Sequence, residues 1–344
     1  MRYGSDFNGF ALLDPLKLSE IASQAVEELL REGESANTLA SYRGALRYWA
    51  AWYQLRFGRV IALPLPPSAV MQFIVDHAER TTAAGRRHEL PKEIDELLVR
   101  LKFKGKTGPM TLNTLTHRVS VLSKAHQTRQ LTNPCQDAKV RELLSRTRRA
   151  YGKRGDLPRK KDALTREPLM AMLETCDDDG LRGLRDRALL LFAFATGGRR
   201  RSEVTGAEMK HLRRTGDDAY VYRLAYSKTN QAAADRPENL KPIEGIAARS
   251  LTAWLKASGV TDGRIFRQVR KSGALGDALS PSAVRDIVKY RAEQAGLPDT
   301  YSAHSLRSGF VTEAAAQNVP LADTMAMTGH RSVASVLGYF RPQE

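Results

Sequence analysis

Apolar residues recur at steps of three and four along most of this chain, which predicts a protein built mainly of helices. An irregular stretch over 1–15 reads as a flexible arm, and helical patterning then runs from Leu16 to about Arg31. Gly33 breaks the pattern, and Ser35 restarts it as a helix N-cap. Beyond it, Leu39, Tyr42, Leu46, Trp49 and Tyr53 share one face and read as a core stripe, with Arg43 and Arg47 on another face. Pro64, Pro66 and Pro67 precede a helix over 68–79. A charged stretch over 81–109 holds a short helix near 91–103 and has no assigned role. Helices over 111–127, with the stripe Leu112, Leu115, Val119 and Leu122, and over 136–149 complete an all-helical first part.

The second part opens with helices at 165–176 and 183–195 and another starting near Arg200. A Gly-Asp-Asp turn then leads into AYVYRLAYSK, whose alternation predicts a strand, with a partner near 238–243. Helices follow at 245–257, 280–295, 305–317, 320–327 and 332–340. The fold class is therefore mainly α with a small antiparallel β-sheet in the second part. The expected division is an arm over 1–15, a helical domain over 16–150, a basic linker over 151–163 and a second domain over 164–344.

Length agrees with that division, because 344 residues exceed the roughly 250–300 at which single cores stop growing. No apolar run approaches the ~18–20 residues of a membrane span, and the start lacks the features of a secretory signal, so a cytoplasmic protein is expected. Cys135 and Cys176 are isolated, and the histidines show no ligand spacing, so neither a disulfide framework nor a metal site is expected.

Charge changes the picture more. The chain carries 54 basic against 38 acidic residues, a net +16, which points to a polyanionic partner. The densest run, from Arg146 to Lys161, contains Arg146, Arg149, Arg154 and Lys160 and only Asp156 in opposition. Gly152, Gly155 and Pro158 interrupt it, so it reads as a linker tracking along phosphates. Arg43, Arg47, Arg118, Lys124, Arg267 and Lys271 complete the candidate DNA contacts.

One ordered set in the second part fits a single chemistry: Arg200, Lys228, His304 with Arg307, His330 and Tyr339. A tyrosine can attack a phosphodiester and hold the bond energy as an ester for religation. The pentavalent transition state concentrates charge on the non-bridging oxygens, which arginine forks such as Arg200 and Arg307 suit. His330 can add a hydrogen bond, His304 can accept the phenol proton, and Lys228 can protonate the departing sugar oxygen. Glu203 lies three residues after Arg200 in a helix first turn. No cofactor is expected. Singly these residues are ordinary; the force lies in their order and spacing.

The segments TGGRRRSEV, AYSKT, HSLRSGF and MTGHRSVASVLGYF resemble the tyrosine recombinase (phage integrase) family: its first-arginine box, hairpin lysine, HxxR box and GH-x8-Y ending. The first half, through NTLASYRGALRYWAAWYQLRFG, is similar to Cre-type members. The resemblance implies a two-domain, C-shaped DNA clamp, with 16–150 as the DNA-binding domain and 164–344 as the catalytic domain, in a nucleoid-associated protein of bacterial or phage origin. It makes Arg200 the first arginine, with Arg199 as competitor, Glu203 its acidic companion, Lys228 the general acid and Tyr339 the nucleophile. His304, Arg307 and His330 complete that set. It further implies a site-specific recombinase that binds inverted half-sites in double-stranded DNA as a homodimer. Synapsis would occur in a homotetramer, through a 3′-phosphotyrosyl bond and a Holliday junction, without metal or ATP. Cre-type members continue into a tail helix, whereas this sequence ends five residues after Tyr339, so either it is truncated or another surface links subunits. Supercoil relaxation, hairpin formation and non-catalytic DNA binding are the competing outcomes.

Overall fold

The computed structural model describes residues 36–156, 161–177, 179–225 and 237–340. The chain divides into two compact units, Met1–Pro158 and Arg159–Glu344.

In the first unit, helices α1 (Ala36–Phe57), α2 (Pro67–His77), α3 (Lys92–Arg100), α4 (Leu112–Thr128) and α5 (Ala138–Lys153) surround an aromatic core. Sequence starts the later helices: the Thr111 hydroxyl accepts from the Thr114 N–H, and the Asp137 carboxylate accepts from Lys139 and Val140. The buried face of α1 is Ala45, Tyr48, Trp49 and Trp52, rotated from the expected stripe. Leu46 is 38% exposed and, with Tyr42, Val121 and Ala125, lines an open apolar groove. The two indoles decide this rotation, because each has a partner inside: Trp49 Nε1 donates to the Arg118 carbonyl (2.9 Å) and Trp52 Nε1 to buried Asp76 (2.9 Å). Trp49 also stacks on Phe73.

The 81–109 stretch has structure that its charge concealed. Strands β1 (Arg80–Thr82) and β2 (Gly85–Arg87) form a small hairpin, and buried Asp95 of α3 accepts from the Gly108 N–H and from Lys104, which folds the following loop back. Helix α5 also runs past Arg149. Buried Tyr151 accepts from the Glu79 N–H (2.8 Å) and donates to the Met110 carbonyl (3.0 Å), so residues up to Asp156 pack with the first unit. Residues 1–35 and 157–160, including the arm, the 16–31 helix and Lys160, lie outside the described residues.

The second unit places α7 (Gly180–Ala195) at its centre, against α6 (Arg166–Glu174), α9 (Ile246–Ser258) and α11 (Ser305–Ala316). Strands β3 (Leu212–Gly216), β4 (Ala219–Arg223) and β5 (Leu240–Glu244) form an antiparallel sheet in sequence order, with Tyr220 opposite Ile243 and Tyr222 opposite Lys241. Strands β6 (Arg267–Val269) and β7 (Leu275–Ala278) form a second hairpin. Sequence patterning missed β3, β6 and β7 because they are short and mostly polar or exposed, leaving no apolar alternation to read. Helices α8 (Arg201–Thr205), α10 (Pro281–Gln294), α12 (Leu321–Thr328) and α13 (Val333–Leu337) complete the described α-helices. The last helix ends before Tyr339, not beyond it.

Candidate active site

The site begins at the end of α7. Gly197 (φ +95°) and Gly198 (φ +66°) take conformations that side chains resist, and both touch backbone. A methyl on Gly198 would lie 2.3 Å from Arg307 Cα, and one on Gly197 2.3 Å from the Met327 carbonyl oxygen. The Thr-Gly-Gly turn therefore lays the chain directly on α11 and on the end of α12. Gly309 does the same on the opposite side of α11, where a methyl would meet the Leu164 carbonyl at 1.8 Å.

Two consecutive arginines leave this turn in different environments. Arg199 is 2% exposed; its Nη2 donates to the Met327 carbonyl and its Nε has no partner among the described residues. Arg200 precedes α8 with its side chain 21% exposed. Glu203 holds it: one carboxylate oxygen accepts Arg200 Nη1 (2.7 Å), and the other accepts the Arg200 backbone N–H (3.1 Å). Burial pushes the Glu203 carboxyl up, but Arg199 and Arg200 outweigh it and hold the group below the usual range. Glu203 thus stays ionised and aims the more accessible guanidinium.

On α11, His304 stands exposed at the N-terminus and Arg307 is 1% exposed. Arg307 donates through Nη1 to the Gly198 carbonyl (3.3 Å), through Nη2 to the Thr328 carbonyl and through Nε to His330 Nε2 (3.3 Å). A guanidinium has five N–H donors, so two are not used in these bonds. Burial, then the positive charges of Arg200 and Arg199, bring Arg307 down to about 10, which leaves it charged at neutral pH.

His330 follows the Gly329 turn that ends α12. The Thr328 hydroxyl donates to the Thr324 carbonyl (2.7 Å), so its contact with His330 Nδ1 (2.7 Å) must be accepted from the imidazole. Nε2 is then the lone-pair nitrogen, which matches its acceptance from Arg307. Burial, then Arg307 and Arg200, lowers the His330 pKa to about 4. In the free protein Nε2 therefore accepts; donation to a phosphate calls for the protonated ring.

The Tyr339 ring is half-buried, and three of the expected partners gather around it. Its centroid lies 5.0 Å from that of His330, 6.4 Å from that of His304 and 5.6 Å from Arg307 Cζ. Arg200 joins through its charge, which depresses both Arg307 and His330. Lys228 lies outside the described residues. Reading the sequence missed Lys241 and Thr328 here, and took Arg199 only as a competitor for Arg200. A lysine at an inward position of LKPIE was the one available signal, since β5 alternates exposed and buried residues and Lys241 is 2% exposed.

The candidate DNA contacts divide. Arg43, Arg47, Lys124, Arg146, Arg149 and Lys271 are exposed. Arg146 pairs with Glu142 (2.6 Å), and Arg47 lies over the Phe103 ring. Arg118 is drawn inward, its guanidinium 3.3 Å from the Tyr48 ring centroid. Arg267 is half-buried and donates to the Gly276 carbonyl. Arg154 is tied down: it stands over the Tyr151 ring, with Nε on Asp156 (2.8 Å) and Nη2 on the Glu79 carbonyl (3.1 Å). It is a structural cap of α5 rather than a linker side chain open to phosphate. Among the described residues there is no helix long and apolar enough to cross a membrane and no cluster fit to hold a metal ion.

Residues 162–344 match the phage integrase family. The chain belongs to that family. This phage integrase family member is 28% identical over 329 residues to an integrase/recombinase XerD homologue of Selenomonas ruminantium, spanning 93% of this chain and 86% of that protein. It is 30% identical to the tyrosine recombinase XerD of Bifidobacterium longum over 52% of this chain and 57% of that one. The likeness to Cre is loose, since these relatives are of the XerD type. Its fold resembles that of a lambda integrase dimer bound to a COC′ core site, with a TM-score of 0.54 at 13% identity over 92% of this chain and 93% of that one. It also resembles the Tn1549 transposon integrase in complex with circular intermediate DNA, with a TM-score of 0.52 at 15% identity over 93% and 94%.

Proposed function

We propose that this integrase-family protein is a site-specific DNA recombinase that cuts and rejoins strands through Tyr339. The observation that supports it most is the gathering of His304, Arg307 and His330 around the half-exposed Tyr339 ring, with Glu203-held Arg200 contributing charge to the same place. In the cleavage step, Tyr339 Oη bonds to the scissile phosphorus and the bond to the 5′ oxygen breaks. The 3′ phosphate is left on the tyrosine and a free 5′-hydroxyl departs. His304 takes the phenol proton and Lys228 supplies one to the leaving oxygen. Arg200 and the remaining Arg307 donors meet the charge that grows on the non-bridging oxygens. Cationic side chains offset that charge, so no metal is required, and the phosphotyrosyl ester keeps the bond energy for religation, so no ATP is required. Return attack by a 5′-hydroxyl from a second duplex exchanges strands through a Holliday junction.

A palindromic arrangement of half-sites follows from two-fold pairing of subunits, with a homodimer on each site and a homotetramer in synapsis. Footprinting on DNA flanking the encoding gene identifies the site. A substrate carrying that site and nicked beside the cut position then lets the short 5′-hydroxyl fragment diffuse away. Protein should accumulate on the 3′ strand, resistant to denaturation. Efficient relaxation of a supercoiled plasmid without the site would instead indicate a topoisomerase, and no adduct at all would indicate a DNA binder without catalysis.

A further inference from the structure

Three buried cations, on β5, on α11 and in the turn after α7, converge on the last turn of α12. Lys241 of β5 donates to the Ala326 carbonyl (2.7 Å), Arg199 to the Met327 carbonyl and Arg307 to the Thr328 carbonyl. These are consecutive residues at a helix C-terminus, where the carbonyls lack intrahelical partners and the helix dipole favours positive charge. The next residue, Gly329, turns in the left-handed region (φ +71°), and His330 follows.

We propose that Lys241 and Arg199 are positioning residues for His330: with Arg307 they clamp the three terminal carbonyls of α12 and so fix where the imidazole stands. The proposal rests on the recombinase reading of the site. Of the three cations, only Arg307 also touches the imidazole. Lys241 and Arg199 are each 2% exposed and their hydrogen bonds run to backbone, while Arg199 Nη1 also stands 3.8 Å from the Glu203 carboxylate, so they act through the helix end rather than on a substrate. Lys241 occupies an inward strand position, where its sheet neighbour Ile243 shows the apolar residue that alternation calls for. A lysine is retained there only if its ammonium is met, and the Glu238 and Ala326 carbonyls meet it. Burial and the nearby Arg199 bring Lys241 down to about 8, so it remains mostly charged at neutral pH. The Gly197 turn supports the same clamp, since it packs on the Met327 carbonyl that Arg199 grips.

The test compares wild-type protein with Lys241→Met and Lys241→Arg on the nicked substrate. K241M should bind the DNA within about 2-fold of wild type but form adduct about 10- to 100-fold more slowly, the usual cost of a loosened supporting contact. K241R should recover most of the rate. In ¹³C-histidine spectra, K241M should shift the His330 ring signals and leave those of His304 in place, whereas a general loss of structure would move both. A substrate whose 5′ leaving oxygen is replaced by sulfur needs no proton donor; it should rescue Lys228→Ala but not K241M. If K241M does not fold, Lys241→Gln, which keeps a polar end, carries the same comparison. Wild-type rates in K241M, rescue of K241M by the sulfur substrate, or no recovery in K241R would each overturn the proposal. Absence of adduct with the wild-type protein would instead overturn the recombinase reading.

Discussion

Gly198 rests directly on Arg307: a methyl added to it would sit 2.3 Å from the Arg307 Cα. This approach joins the turn that launches Arg200 to the helix that carries Arg307, and the Gly198 carbonyl accepts Arg307 Nη1 as well. The separation of the two arginines is thus set by backbone contact, not by flexible side chains. Gly198→Ala must strain a left-handed residue and push α11 aside. The expected cost is about 2–4 kcal/mol of stability, from left-handed strain and overpacking together. Denaturant midpoints measure it, and adduct formation should fall further than stability alone explains.

Arg199 and Arg200 should separate by phenotype. Arg200→Ala leaves Glu203 with Arg199 at 3.8 Å, so the fold should persist while cleavage falls roughly 10²–10³-fold, the usual loss for a preorganised donor. Single-turnover cleavage alongside thermal unfolding checks this. A variant that cleaves normally would remove Arg200 from the site.

His330 carries the pH dependence. Its pKa is depressed from 6.5 to about 4, so the folded protein binds its proton less readily than the unfolded chain. The stability this contributes is complete above 6.5 and is lost as pH falls through about 4. A phosphodiester against the imidazole adds negative charge, which favours the protonated ring and raises the pKa. Titration of the His330 ring by NMR should therefore move upward when site DNA binds Tyr339→Phe protein. An unchanged titration would place the phosphate elsewhere.

Salt dependence should distinguish exposed cations from Arg154. Removing Arg43, Arg47 or Arg149 should weaken binding and reduce the slope of log K against log salt by about 0.9 for each phosphate no longer neutralised. Arg154→Ala should instead lower the stability of the first unit by about 1–2 kcal/mol, because the Glu79 carbonyl and the Tyr151 ring lose their cationic partner, with the slope unchanged. Binding isotherms at several salt concentrations, with unfolding curves, separate the two.

Much of the fold was legible because helix periodicity survives in the chain: α4, α7, α10 and α11 lie within a few residues of their expected spans. The α1 face was misread because the buried indoles Trp49 and Trp52 find polar partners that periodicity does not encode. The β1–β2 hairpin was hidden under charge, and the length of α5 under Gly152, which is tolerated because Tyr151 anchors that turn. The candidate site was legible as a gathering of residue types that the proposed chemistry demands, since His304, Arg307 and His330 do stand around Tyr339. It was illegible where a side chain works through backbone. Arg199 looked like a competitor for Arg200, and Lys241 like one more lysine, until the helix carbonyls they hold came into view.

In the proposed reaction the Tyr339 oxygen becomes bonded to DNA. Wild-type protein and Tyr339→Phe, incubated with the nicked site and run on a denaturing gel, test it most directly. Both proteins should bind the site equally, with a covalent band from wild type alone and a nucleotide remnant on Tyr339 after digestion and mass spectrometry. A covalent band that persists in Tyr339→Phe would contradict it.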